Sequence, residues 1–85
     1  MSNNSSAIKK IVGQFVLQET FAEKSKIQDD SLIFKQGYFD SMGFVKLITF
    51  IEAEFGIKTI DADLVEENFE SINAITDFIS RKIKN

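Results

Sequence analysis

The chain has 85 residues, with 10 Lys and Arg against 13 Asp and Glu, a formal net charge of −3, and no Cys, His, Trp or Pro. One domain, residues 1–85, is the ceiling at this length. Missing Cys excludes a disulfide scaffold and a thiolate nucleophile, and missing His removes the commonest general base and metal ligand, so the composition argues against a self-sufficient enzyme.

Met1 to Ser6 is a polar lead expected to fray. From Ile8 the apolar residues Ile8, Ile11, Val12 and Phe15 fall at offsets 3, 4 and 7, one face of a helix that Ser5 or Ser6 would cap and that would run to about Glu23. Gly13 lies inside it, at about 1 kcal/mol less favourable than Ala, and suggests close approach of a neighbouring helix. Residues 24–40 lack a sustained period and read as a long loop, pinned to the core by Leu32, Ile33, Phe34, Tyr38 and Phe39, with a short turn near Leu32–Lys35. Loops of this length are usually functional.

The period of 3.6 returns at Asp40, with Phe44, Leu47, Ile48, Ile51 and Phe55 on one face, Asp40 as N-cap and Gly56 as the C-terminal stop. Residues 57–68 are acidic, with one short helix expected around Asp63–Glu67. Ser71 then caps a last helix carrying Ile72, Ile75, Phe78, Ile79 and Ile83 on one face, and Arg81, Lys82 and Lys84 suit the negative end of its dipole. The fold class is all-α, a small bundle of three main helices plus one short helix, with a long first loop.

Charge is unevenly placed: residues 36–78 carry two lysines against nine acids, a net of −7. Such a stretch is a solvated face or a steering surface for a basic partner, and it argues against nucleic acid. No apolar run is long enough for a signal peptide or membrane span, so the cytoplasm is the expected compartment. Asp29-Asp30 and the cluster Asp61, Asp63, Glu66, Glu67 lack calcium-loop spacing and are read as solvated acids, with no metal site.

Ser41 directly follows the proposed cap, at a first turn rich in unsatisfied N–H groups where the dipole favours an anion. Gly37 gives the preceding loop a turn, and Met42 and Val45 place apolar surface beside the serine. By itself Asp-Ser is consistent with a hydroxyl that only caps a helix.

The stretch from Gly37 to Ile57, with Gly37-Tyr-Phe-Asp-Ser-Met and Glu52-Ala-Glu-Phe-Gly-Ile57, resembles the central segment of acyl and peptidyl carrier proteins. The layout of N-terminal helix, long loop and last helix near Ser71-Ile72 agrees over nearly the whole chain. The resemblance implies that Ser41 receives 4′-phosphopantetheine from coenzyme A through a phosphopantetheinyl transferase. It also implies that cargo is held as a thioester and presented to other enzymes, the carrier supplying position and not catalysis. Asp40 would present Ser41, Met42 would contact partners, and Glu52 and Glu54 would add to an acidic rim. The expected partners are the transferase, a cargo-loading ligase or adenylating enzyme, and downstream acyl-processing or transfer enzymes. Family precedent is monomeric, and Met1 favours a freestanding chain.

Gly43 and Lys46 stand where fatty-acid carriers have acids, and Ala53 interrupts the later acidic run, which points to a specialised pathway. Asp40-Ser-Met-Gly43 also resembles D-alanine carrier proteins. Phe44 and Phe50 replace smaller residues; they either repack the core or fill space that a long acyl chain would need, leaving a short, polar or aminoacyl cargo outside the bundle. The alternative from another class is an unmodified acidic helical interaction module in which Ser41 is only structural.

Overall fold

A computed structural model describes residues 5–20 and 27–84. They form an all-α bundle of three main helices, α1 (Ser5–Glu19), α2 (Ser41–Phe55) and α4 (Ile72–Lys84). A four-residue helix, α3 (Glu66–Phe69), and a 3-10 turn at Asp61–Asp63 precede the last of them. There is no strand among the described residues. Helix α1 packs chiefly on α4, α2 leans on both, and α3 rests on α4.

Each main helix buries part of the stripe its period sets, with Ile11 and Phe15 of α1 and Phe44, Ile48 and Phe55 of α2 only half-buried. Ile8, Val12 and Val16 of α1 are buried, as are Leu47 and Ile51 of α2 and Ile72, Ile75, Phe78 and Ile79 of α4. The last of the expected α4 stripe, Ile83, is instead 40% exposed and edges a shallow groove with Phe55 and Ile57. Local capping fixes the helix ends. The Asp40 carboxylate accepts from the Gly43 N–H at 2.9 Å, Gly56 closes α2 at φ 65°, and Ser71 Oγ accepts from the Ala74 N–H at 3.1 Å. A left-handed residue of this kind is where Gly avoids the Cβ penalty.

Three expectations need correction. Ser5 and Ser6 are the first two residues of α1 and not the residue before it, and the helix ends at Glu19; the expected extension to Glu23 falls, beyond Thr20, outside the described residues. Gly13 admits no close neighbour, since a Cβ there would meet nothing within 4 Å. The single short helix around Asp63–Glu67 is split in two. Val65, extended at φ −116° and ψ 151°, separates the 3-10 turn from α3. The Asp63 carboxylate closes the first piece by accepting the Ile60 N–H at 3.0 Å.

The described part of the first loop is pinned through most of its expected apolar residues: Ile33 and Phe39 are buried, and Ile27, Phe34 and Tyr38 pack against the core, but Leu32 is exposed and takes no part. Its backbone is tied as well. Ile33 N–H donates to the Glu70 carbonyl, the Asn73 N–H to the Asp29 carbonyl, and the Ile33 carbonyl accepts from both Tyr38 and Phe39. The bond from Asn73 serves one of the first N–H groups of α4, which have no partner inside the helix.

Two carboxylates clamp the acidic segment. Asp63 takes the Lys82 ammonium at 2.8 Å. Glu52 accepts from the Thr59 N–H at 2.9 Å and the Thr59 hydroxyl at 2.7 Å. The Lys82 hydrogen bond, then that from Ile60, holds the Asp63 carboxyl below the ordinary range, and the Thr59 N–H and hydroxyl do the same for Glu52. Because both values are depressed in the fold, their stabilisation is complete above the ordinary carboxylate values and is lost as pH falls through the lowered ones. Between about pH 5 and pH 3 the urea midpoint of a Glu52→Gln/Asp63→Asn variant is therefore expected to fall less steeply than that of the parent chain. Equal slopes would show that neither clamp survives in solution.

Candidate functional site

The first turn of α2 is built from both sides. Upstream, Gly37 at φ 79° turns the chain, with its N–H on the Phe34 carbonyl. A left-handed conformation there suits a residue without Cβ. Downstream, the Asp40 cap starts the helix, and the Asp40 carbonyl accepts from the Phe44 N–H at 3.0 Å. Ser41 is exposed at this turn, and its hydroxyl has no hydrogen-bond partner among the described residues. Met42 and Val45 are 62% and 57% exposed beside it, large apolar side chains left facing solvent.

Ser41 and Asp40 sit on the rim of a cleft of about 460 Å³. Phe34 and Phe39 come to it from the first loop, Phe44 from α2, and Leu64, Val65 and Phe69 from the acidic segment. The rings meet edge to face: Phe34 with Phe39 at 5.6 Å, Phe34 with Phe44 at 5.8 Å, and Phe44 with Phe69 at 5.5 Å between centroids. Glu66 is the second carboxylate of the lining, and neither Lys nor Arg contributes to it.

Gly43 explains how Phe39 reaches this place. A Cβ on Gly43 would lie 2.7 Å from Phe39 Cδ2, so the ring rests directly on the first turn of α2. That contact sets Phe39 against the turn that carries Asp40 and Ser41.

The other expected site residues lie elsewhere. Glu52 is near the opposite end of α2 from Ser41, about 16 Å along the axis, and is engaged by Thr59. Glu54 borders a groove between α1 and α2, together with Phe50. There Phe50 stacks on Phe15, centroids 4.4 Å apart and planes 13° from parallel. Of the two replaced aromatic positions, only Phe44 walls the cleft beside Ser41. Lys46, one turn on from Met42, pairs loosely with Glu19 at 3.5 Å.

The chain matches no family model and no curated protein.

The sequence reading missed Phe34, Phe39, Leu64, Val65, Glu66 and Phe69 as site residues. For the three phenylalanines the only advance signal was the abundance of Phe, nine in all, which reads as core filling when the rings cannot be placed; Leu64, Val65 and Glu66 gave none. Among the described residues no three acidic groups come together to hold a metal ion. No described helix is long and apolar enough to cross a membrane.

Proposed function

We propose that the chain is a carrier protein that holds an acyl or aminoacyl group as a thioester on 4′-phosphopantetheine joined to Ser41. The observation that carries this reading is the exposed, unpartnered Ser41 hydroxyl at the capped first turn of α2, on the rim of an apolar cleft. The residues present fit the group. The serine oxygen is accessible for an ester bond, and the first-turn N–H groups of Ser41 and Met42 have no intrahelical acceptor, which favours a phosphate. When bound, the group supplies a flexible arm ending in a thiol, which a chain without Cys otherwise lacks.

The chain's own residues supply position. Asp40 holds the turn so that Ser41 faces solvent, and Gly43 and Phe39 brace that turn from the loop side. Met42 and Val45 give a transferase, a loading ligase or adenylating enzyme and downstream enzymes an apolar contact beside the attachment point. The −7 charge of residues 36–78 steers basic partner surfaces toward it. In this reading catalysis belongs to the partners.

The test is intact-mass measurement after incubation with coenzyme A, magnesium and a broad-specificity phosphopantetheinyl transferase. The parent chain is expected to gain one phosphopantetheine and Ser41→Ala none, with unchanged helical content. No gain, or a gain that persists in Ser41→Ala, rules out the carrier and leaves an acidic helical interaction module.

A further inference from the structure

The cleft beside Ser41 has an aromatic wall and an acidic mouth. Phe34, Phe39, Phe44 and Phe69 are joined by successive edge-to-face contacts, and Leu64 and Val65, each 44% exposed, form an apolar lip. A further ring entering the cleft can extend that pattern, because ring edges and faces carry opposite partial charge, whereas a saturated group gains only burial. The cleft itself stops short of the bundle interior along α2. No α2 residue beyond Phe44 lines the cleft, and Leu47, less than one turn on, is fully buried.

The mouth selects by charge. Asp40 and Glu66 line it with no cation among the lining residues, and Glu66 forms no ion pair among the described residues. Asp40 uses one carboxylate oxygen for the Gly43 N–H. A group that carries a positive charge close to a ring matches this arrangement, and a free carboxylate is repelled by it.

We infer that the cleft seats an aromatic aminoacyl group, its ring among Phe34, Phe44 and Phe69 and its α-ammonium at Asp40 and Glu66. This deepens the carrier reading by naming the cargo class, and rests on it for the delivery of that cargo from Ser41.

The seat is testable without the arm. The unmodified chain is titrated, with NMR detection, against L-phenylalanine amide, L-cyclohexylalanine amide, 3-phenylpropionamide and hexanamide. Phenylalanine amide is expected to shift the signals of Phe44, Leu64, Val65 and Phe69. It should bind about two- to tenfold more tightly than the cyclohexyl analogue, from the ring contacts. It should also bind about two- to fivefold more tightly than the uncharged phenylpropionamide, from an exposed charge pair. Glu66→Gln, an exposed substitution, should shrink the second margin and leave the first intact.

Hexanamide binding as tightly as phenylalanine amide, or no shift at the cleft up to about 50 mM ligand, overturns the seat whatever happens at Ser41. Binding in the cleft by a chain that gains no mass at Ser41 overturns the cargo assignment together with the carrier reading.

Discussion

Phe69→Ala is expected to remove about 3–5 kcal/mol of stability, the usual range for truncating a fully buried Phe. The side chain is 1% exposed, and its ring stands edge to face between Phe44 at 5.5 Å and Phe78 at 5.0 Å. It is the only buried residue of α3, so the short helix is held to α4 largely through this ring. Four residues cannot sustain a helix in water alone, since nucleation is unfavourable and little propagation follows. The loss should therefore include ordering of residues 60–70 as well as the cavity.

A domain of 85 residues has roughly 4–13 kcal/mol to lose, so the variant is expected to be marginally folded. Phe69→Leu, which retains apolar volume, should lose clearly less. Urea unfolding of both variants measures the effect. A midpoint for Phe69→Ala close to that of the parent would mean that α3 and the cleft wall are not packed as described.

Two glycine-to-alanine changes in helices are expected to act with opposite sign. Ala is favoured over Gly in a helix interior by about 1 kcal/mol, so Gly13→Ala, with nothing within 4 Å of the added carbon, should stabilise the chain by about 0.5–1 kcal/mol. At Gly43 the same gain is overridden. The new Cβ would stand 2.7 Å from Phe39 Cδ2 and 3.3 Å from its Cγ. Phe39 is 5% exposed and braced edge to face by Phe34, so the ring cannot turn aside without disturbing its neighbours. Overpacking of this kind costs about 1–3 kcal/mol, and Gly43→Ala should be destabilising on balance. The backbone N–H that Asp40 accepts is kept in Ala, so any loss at the cap would come from displacement of the turn and not from loss of the donor. Thermal unfolding of the two variants decides the matter: stabilisation by both would mean that Phe39 does not rest on α2.

The functional consequence of Gly43 links stability to the site. Helix propensity taken alone marks it as a weakness, and charge marks it only as a missing acid. In the fold it is the gap through which a loop residue reaches the turn that carries Ser41. Sequence could not distinguish these roles, because the atom that fills the gap is four residues upstream in a loop without a readable period.

Local chemistry was legible for a definite reason. Caps are formed within three or four residues, so Asp40, Gly56 and Ser71 could be placed from their neighbours alone. The buried stripes of α1, α2 and α4 follow from the 3.6 period in the same way. Glu52 shows where this kind of reading stops. On the helix it is one more acid in a negative stretch, yet the chain reverses at Gly56 and brings Thr59 back to its carboxylate. The acidic segment behaves likewise, since Asp63 meets Lys82 nineteen positions later.

By itself, then, the sequence determined the number of main helices, both limits of α2, the start of α4 and the serine next to a capped turn, all consequences of short-range periodicity and capping; the limits of α1 were not among them. Only the tertiary structure decided where the phenylalanines go. Phe34 and Phe39 from the loop, Phe44 from α2 and Phe69 from α3 are separated by up to 35 positions, and no local rule brings them together. Packing of α3 on α4 and the backbone tie between Ile33 and Glu70 do so, because burying those rings is what gives the irregular segments a fixed place. The cleft beside Ser41 is the outcome of that packing.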